Sequence, residues 1–166
     1  MTLVPDYYFN TFDLCTADFL KSIGVEGIIL DVDNTLEPYE NALPSDRVVA
    51  WLESLRTAGI KAAIVSNNNG QRINLFNKDI NLPAYYKAAK PFKKNLVLAM
   101  ADMGTDKSNT AMMGDQIFTD VLAARNAGVR AILVPPIKDK RDLLTRFKRL
   151  LEKPIMKKYR RLADKD

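Results

Sequence analysis

Short apolar runs alternate along the chain with longer amphipathic stretches, and this alternation restricts the fold to a few architectures. Continuous apolar runs are typical of strands covered on both faces of a sheet, and amphipathic periodicity is typical of helices. The pattern predicts strands at residues 25–31, 60–66, 85–90, 110–115 and 130–136, with helices at 43–59, 71–80, 91–104 and 119–127. Such alternation favours an α/β fold, a three-layer Rossmann-like parallel sheet with right-handed crossovers.

Residues that favour helix ends lie near the ends of these predicted helices. Ser45 and Asp46 suit the start of the first helix, and Gly59 suits its end. Pro91 suits the first residue of the third helix, and Gly128 follows the fourth.

The absence of histidine from the 166 residues narrows the possible chemistry. It excludes Ser-His-Asp and Cys-His catalysis and His-ligated zinc. Cys15 is the single cysteine, which excludes an internal disulfide and suits a reducing compartment. Lys21 stands where a cysteine-dependent phosphatase loop would have arginine. Neither a bilayer-spanning apolar stretch nor a secretory signal is present, so we expect a cytoplasmic protein.

Polar side chains stand where four predicted strands end. Asp31 and Asp33 close the first strand, Ser66 the second, Lys90 the third and Asp115 the fourth. Ligands of parallel sheets bind outside the carboxyl ends of the strands. We therefore expect these side chains to face one common site.

Each of these signals, taken alone, also has a purely structural explanation. Asp31 and Asp33 fit a strand end closed by an Asx-turn, and SNNNG at 66–70 fits a capped strand-to-helix turn. Lys90 alone suits a solvated lysine, and GDQIFTD at 114–120 suits a glycine turn before a helix. The same features suit a phosphate held at a helix start and a divalent cation with oxygen ligands.

The order of the four signals is more specific than any one of them. DVDNTL, IVSNN, AKP and GDQIFTD resemble, in this order, the four motifs of the haloacid dehalogenase (HAD) superfamily. The segment LVPDYYFNTFDLCTADFLKSIGVEGIILDVDNTL resembles the opening of the YqeG family of HAD subfamily IIIA, and this likeness extends to about residue 136. That family is related to the phosphatidylglycerophosphate phosphatases of organelles.

The resemblance implies a Mg2+-dependent phosphatase that forms an aspartyl-phosphate. Asp31 would be the nucleophile, and Asp33 would protonate the leaving alkoxide and later activate water. Mg2+ would be held by the Asp31 carboxylate, the Asp33 backbone carbonyl and Asp115, while Asp120 would orient its waters or Lys90. The phosphate-binding residues implied are Ser66, Lys90, Asn34 and the backbone N–H of Asn67.

The spacing between the motifs leaves no room for the cap domain that many such enzymes carry. Residues 36–66 and 66–90 are used up by the predicted helices and strands. We therefore expect no separate cap domain and an open site with only a short flap at residues 37–43. Open sites admit large substrates or are covered by another subunit, so an oligomer is possible.

The positive charge lies in the tail. Residues 138–166 hold twelve Lys or Arg and five Asp or Glu, whereas the whole chain has a net charge of +5. We divide the chain into a phosphatase core at 1–136 and a basic amphipathic tail at 137–166, in which Pro154 interrupts a helical apolar stripe. The stripe consists of Leu143, Leu144, Phe147, Leu150 and Leu151. It suits a helix docked on the sheet, or a surface for anionic membrane or nucleic acid.

Three functions remain open at this point. The first is a phosphomonoester hydrolase for an unidentified phosphate, with a phosphatidylglycerophosphate-like headgroup or another bulky phosphate as candidates. The second is a receiver-like signalling domain, against which Asp33 argues because it is placed to hydrolyse the acyl phosphate. The third is a catalytically idle module that acts through its basic tail on membrane, RNA or ribosomal partners.

Overall fold

The computed structural model describes residues 2–138 and 143–163, without the side chains at 143–149 and 161–163. Its strands are β1 (Tyr7–Tyr8), β2 (Gly27–Leu30), β3 (Lys61–Val65), β4 (Ala84–Tyr85), β5 (Thr110–Gly114) and β6 (Arg130–Leu133). Its helices are α1 (Ala17–Ser22), α2 (Asp46–Thr57), α3 (Gly70–Phe76), α4 (Lys94–Met103), α5 (Leu122–Ala127) and α6 (Leu143–Ala163). The six strands form one parallel sheet in the order β1-β6-β5-β2-β3-β4, which confirms the predicted α/β fold class.

Strand β2 shows why the sheet is covered on both faces. Ile28 and Leu30 are fully buried in a core that includes side chains of α1, α2 and α3. Ile29 points to the other face and is fully buried in a second core with side chains of α4 and α5. Alternate residues of a strand face opposite sides of the sheet, so one continuous apolar run supplies both cores and holds three layers together.

Within the described residues, no separate cap domain lies between the first and third motifs. Residues 46–65 form α2 and β3, and residues 70–85 form α3 and β4 with their connecting loops. The Ser45 hydroxyl caps α2 by accepting the Val48 N–H at 3.5 Å, and Gly59 follows the helix with φ +81°, both as predicted. The chain between the first and third motifs thus forms strands of the sheet, helices that cover it, and their connecting loops.

Several predicted boundaries were wrong. Pro91 does not begin a helix, because α4 starts only at Lys94, three residues later. The predicted helix at 71–80 is the shorter α3, which ends where Asn77 uses its side chain to bond the backbone of Leu82. The predicted strand at 85–90 overlaps the two-residue β4 only at Tyr85.

The helical segment predicted at 119–127 begins two residues earlier, at Ile117, and its first turn is π-helical. A π-helical turn at Ile117–Val121 precedes α5, since the N–H groups of both Asp120 and Val121 donate to the Gln116 carbonyl. Strand β1 was not predicted, because two residues carry no periodicity. It pairs with β6 through Tyr7↔Ile132 and Tyr8↔Leu133.

The C-terminal helix α6 runs through Pro154, so the predicted interruption was wrong. Ile155 and Met156 pack against the second core, whereas Leu150 and Leu151 of the predicted stripe are exposed. The side chains of Leu143, Leu144 and Phe147 lie outside the described residues. Within the part of the chain that the structure describes, no helix has the length and apolar character to span a membrane.

Cys15 offers a test of this core. Its side chain is fully buried, and this burial raises the pKa of the thiol to about 12. Because the thiolate is the reactive form, we expect iodoacetamide to leave the native protein unmodified at pH 8 and to alkylate Cys15 after denaturation in urea, as measured by mass spectrometry. Equal labelling rates in both states would contradict the burial of this residue.

Candidate active site

A polar cavity of about 320 Å3 opens at the carboxyl ends of the central strands. Its lining brings together most of the side chains that the sequence analysis singled out. These are Asp31, Asp33, Ser66, Asn67, Lys90 and Asp120, joined by Tyr39, Asn68, Gln116 and Thr119. The predicted convergence of strand-end residues on one site is therefore seen in the structure.

Asp31 is held by contacts to both of its carboxylate oxygens. It directly follows β2, and its backbone N–H donates to the Met113 carbonyl of β5 at 3.0 Å. Its Oδ1 accepts from Lys90 Nζ at 2.7 Å, and its Oδ2 accepts from the Thr35 hydroxyl at 3.0 Å. A carboxylate fixed in this way has a defined direction toward the cavity.

Lys90 is a buried cation shared by two carboxylates. Its Nζ lies 2.7 Å from Asp31 Oδ1 and 2.7 Å from Asp120 Oδ1, with only 2% of its side chain exposed. Burial alone would lower the pKa of Lys90, but the charges of Asp120 and Asp31 outweigh it and raise the pKa above its ordinary value. The ammonium therefore stays charged inside the protein.

The backbone of Lys90 is fixed by Asn67. The Lys90 N–H donates to Asn67 Oδ1 at 2.7 Å, and Asn67 Nδ2 donates to the Lys90 carbonyl at 3.2 Å. The side chain of Asn67 thus aligns the loop that carries Lys90. Sequence reasoning had considered only its backbone N–H.

Three buried carboxylates come close enough together to bind one cation. Ligand oxygens of Asp31, Asp115 and Asp120 all lie within 4.8 Å of one another. Burial, followed by the negative charge of Asp31, raises the pKa of Asp120 against the opposing effect of Lys90. Mg2+ takes oxygen ligands and offsets repulsion among carboxylates, so the residues present fit this ion.

The side chain of Asp33 lies outside this set of three. Its Oδ2 accepts from Asn68 Nδ2 at 2.7 Å, and its Oδ1 accepts from Arg72 Nε at 3.2 Å. Asp31 and Asp33 therefore contact different partners although both line the cavity. Such a division suits two carboxylates with different roles.

Ser66 and Asn34 occupy contrasting positions. Ser66 is buried at the end of β3, lines the cavity, and accepts the Asn68 N–H on its hydroxyl at 3.1 Å. Asn34 does not line the cavity. It is buried with φ +64°, donates its N–H to the Glu37 carbonyl and accepts the Ile137 N–H on its own carbonyl. It shapes the loop after the first motif.

Several residues of the site were missed by sequence reasoning. The Thr35 hydroxyl lies 3.0 Å from Asp31 and 3.5 Å from Asp115, and its position within the DVDNTL motif was an available signal. Arg72 and Glu152 gave no signal, because charged residues of amphipathic helices are usually exposed. Yet Glu152 of α6 is buried and accepts the Ile117 N–H at 3.0 Å, in the turn between Asp115 and Asp120.

The glycine of the fourth motif lies directly against the site. A Cβ at Gly114 would come within 2.2 Å of the Asp120 carboxylate carbon. The lack of a side chain at position 114 is therefore what allows Asp120 to reach Lys90.

Comparison with known proteins agrees with this geometry. The sequence model of the HAD-hydrolase-like family matches residues 87–154. The Bacillus subtilis (strain 168) protein named "Probable phosphatase YqeG" is 37% identical over 158 residues, which cover 95% of this chain and 92% of the relative.

Solved structures show the same fold at low sequence identity. A 3-deoxy-D-manno-octulosonate 8-phosphate phosphatase from Moraxella catarrhalis, solved with magnesium and phosphate ions, aligns with a TM-score of 0.54 and 16% identity over 89% of this chain and 96% of its own. A HAD subfamily III A hydrolase from Legionella pneumophila aligns with a TM-score of 0.51 and 20% identity over 68% of this chain and 66% of its own.

The fold and the site define a HAD-type hydrolase. Because the Bacillus protein matches nearly the whole chain, this chain belongs to the YqeG family of HAD phosphatases. It is therefore an enzyme of the phosphatase class.

The Gly114 contact gives a test of the carboxylate cluster. We expect Gly114→Ala to displace Asp120 from Lys90 and to lower the free energy of unfolding by about 2–4 kcal/mol, measured by urea denaturation. Gly70→Ala is the matched control, since the nearest contact of its Cβ would be the ring of the half-exposed Tyr86, at 3.1 Å. Equal stability of the two variants would contradict the close contact.

Proposed function

We propose that the protein is a Mg2+-dependent phosphomonoester hydrolase that forms an aspartyl-phosphate on Asp31. The observation that carries this proposal is the buried cluster in which Asp31 shares Lys90 with Asp120 and lies within 4.8 Å of Asp115. A nucleophilic carboxylate, a fixed cation and an adjoining oxygen-ligand set are what phosphoryl transfer through an acyl phosphate requires.

The reaction proceeds in two displacements. In the first, an Asp31 carboxylate oxygen bonds to phosphorus, the ester P–O bond breaks, and the leaving oxygen takes a proton from the Asp33 carboxyl group. In the second, a water molecule gives a proton to the Asp33 carboxylate. The oxygen of this water bonds to phosphorus as the bond between Asp31 and phosphorus breaks. The products are an alcohol and inorganic phosphate, and Asp33 regains its proton.

The residues around Asp31 would stabilise the negative charge on the transferring phosphoryl group. Lys90 Nζ, the Ser66 hydroxyl and the Asn67 backbone N–H would bind its oxygens. The carboxylates of Asp31, Asp115 and Asp120 and the backbone carbonyl of Asp33 would hold Mg2+, which would supply positive charge to offset the charge of the phosphate. The magnesium and phosphate ions of the Moraxella phosphatase structure support this choice of ion.

The competing functions lack comparable support. A receiver-like domain needs a lasting acyl phosphate, whereas Asp33 lines the same cavity as Asp31. An idle module would not need the costly burial of Asp31, Lys90 and Asp120 in contact with one another.

The open site suits a bulky phosphate. Tyr39 lines the cavity from the flap and is 55% exposed. An exposed aromatic ring in the lining of an uncapped site suits a substrate with an apolar part. A phosphatidylglycerophosphate-like headgroup meets this description, and so do other bulky monoesters.

Replacement of the nucleophile tests the mechanism. Asp31→Asn keeps the size of the side chain but removes the attacking carboxylate, so we expect turnover of 4-nitrophenyl phosphate with Mg2+ to be abolished while circular dichroism stays native. EDTA should abolish turnover of the unmodified enzyme, and added Mg2+ should restore it. Retention of more than about a tenth of the activity by Asp31→Asn would contradict the nucleophile assignment.

The tail supports a peripheral contact with an anionic membrane. Leu150 and Leu151 are exposed on α6, and Lys153, Lys157 and Lys158 are exposed on the same helix. Apolar and basic side chains together favour a lipid surface over nucleic acid, because leucine side chains can be buried among lipids but not along a nucleic acid backbone. We infer that this helix brings the enzyme to phosphate groups at a membrane surface.

Charge reversal on α6 tests this contact without removing the residues that pack on the core. We expect the triple variant Lys153→Glu, Lys157→Glu, Lys158→Glu to bind anionic liposomes about 100-fold more weakly than the unmodified protein in a sedimentation assay. The control reverses three exposed lysines elsewhere, Lys21, Lys78 and Lys107, with the same change in net charge. Equal loss in both triple variants would show a general charge effect and contradict a site on α6.

A further inference from the structure

Arg72 of α3 is a basic residue close to the candidate site that the mechanism above does not use. Its side chain is only 10% exposed, whereas Arg56 on α2 is 77% exposed in an ion pair with Glu53. Withdrawing a long charged side chain from water costs solvation and rotamer entropy, so such burial requires strong partners. The contacts of Arg72 identify these partners.

Arg72 bridges Asp33 and the flap. Its Nε lies 3.2 Å and its Nη2 3.1 Å from Asp33 Oδ1, and its Nη1 donates to the Ala42 carbonyl at 2.8 Å. The guanidinium carbon lies 5.6 Å from the centre of the Phe76 ring, one helical turn further along α3. One planar group therefore joins the proposed acid, the flap and a rigid helix.

Further hydrogen bonds fix the second carboxylate oxygen of Asp33 and the start of the flap. Asn68 Nδ2 holds the second oxygen of Asp33 at 2.7 Å. At the start of the flap, Glu37 accepts the Ser45 N–H at 2.7 Å and Asn41 Nδ2 at 2.9 Å. Arg72 is therefore the contact that joins the fixed carboxylate to Ala42 at the far end of the flap, and Tyr39 of the same flap lines the cavity.

We propose that Arg72 is a positioning residue that orients Asp33 toward the leaving group and ties this carboxyl group to the flap. This inference rests on the proposed function, because it assigns a role to Arg72 through the acid Asp33. The fixed guanidinium sets the direction of the carboxyl group and stabilises the negative charge that remains on Asp33 after it has given its proton to the leaving oxygen. Arg72 itself does not touch the reacting phosphorus.

A comparison of leaving groups tests this role separately from general stability. Dinitrophenolate departs without a proton, whereas an alkoxide needs one from Asp33. The experiment measures kcat/KM with Mg2+ for 2,4-dinitrophenyl phosphate and for n-butyl phosphate, since kcat/KM covers the steps up to departure of the leaving group. We expect the ratio of the aryl to the alkyl value to rise at least ~30-fold in Arg72→Met, which is less than the roughly 10²–10⁴-fold that a general acid itself contributes, because Arg72 acts through Asp33.

Two further variants decide how the result is interpreted. Arg56→Met is the matched control, because it removes an exposed guanidinium from another helix, and its ratio should equal that of the unmodified enzyme. Asp33→Asn should raise the ratio in the same direction as Arg72→Met. A raised ratio in Asp33→Asn with an unchanged ratio in Arg72→Met would overturn the inference and leave the acid assignment standing. An unchanged ratio in Asp33→Asn would overturn both.

A conservative substitution keeps the test decisive if Arg72→Met does not fold. Arg72→Lys retains the charge, but one ammonium group does not reproduce the planar bridge between Asp33 and Ala42. We expect an intermediate ratio for Arg72→Lys with native circular dichroism. A folded Arg72→Lys enzyme with the ratio of the unmodified enzyme would show that the bridge is not needed and would overturn the inference.

Discussion

The buried ammonium of Lys90, placed between Asp31 and Asp120, is the interaction on which the site depends. Its three residues come from the end of β2, the loop after β4 and the turn after β5, so one cation joins three segments of the chain. Loss of one partner from a buried ion pair costs about 3–5 kcal/mol, because the remaining charge stays away from water. The cluster therefore opposes any movement of Asp31, the proposed nucleophile, and the rigidity of this carboxylate follows from electrostatics as well as from packing.

The position of this cluster was predictable from the sequence, and the family resemblance implied that Asp120 would orient either Lys90 or the waters of the metal. The local geometry that brings Asp120 to Lys90 was not predictable. Parallel strands bring their carboxyl ends to one edge, so the order of Asp31, Ser66, Lys90 and Asp115 sufficed to predict a common site. The pairing of Lys90 with Asp120 depends on the π-helical turn and on the absence of a side chain at Gly114. Neither feature leaves a periodic pattern in the sequence.

The contacts that sequence reasoning missed share a physical origin. Arg72 reaches Asp33 across 39 positions, and Glu152 reaches Ile117 across 35. Both charged residues lie on helices, where local patterns predict exposure. Their burial arises from partners distant in the chain. The same limit explains why the apolar stripe of α6 suggested a docked face, whereas its described leucines are exposed and Ile155 and Met156 pack instead.

Glu152 also changes how the tail relates to the catalytic loop. A buried backbone N–H without an acceptor costs free energy, and the N–H of Ile117 finds its acceptor on α6. The turn that carries Asp115 and Asp120 is thus completed by a residue of the basic helix. The membrane contact proposed for the exposed face of α6 would therefore act on a helix that also holds the turn of Asp115 and Asp120, so that the proposed surface recognition and the proposed catalysis share one structural element.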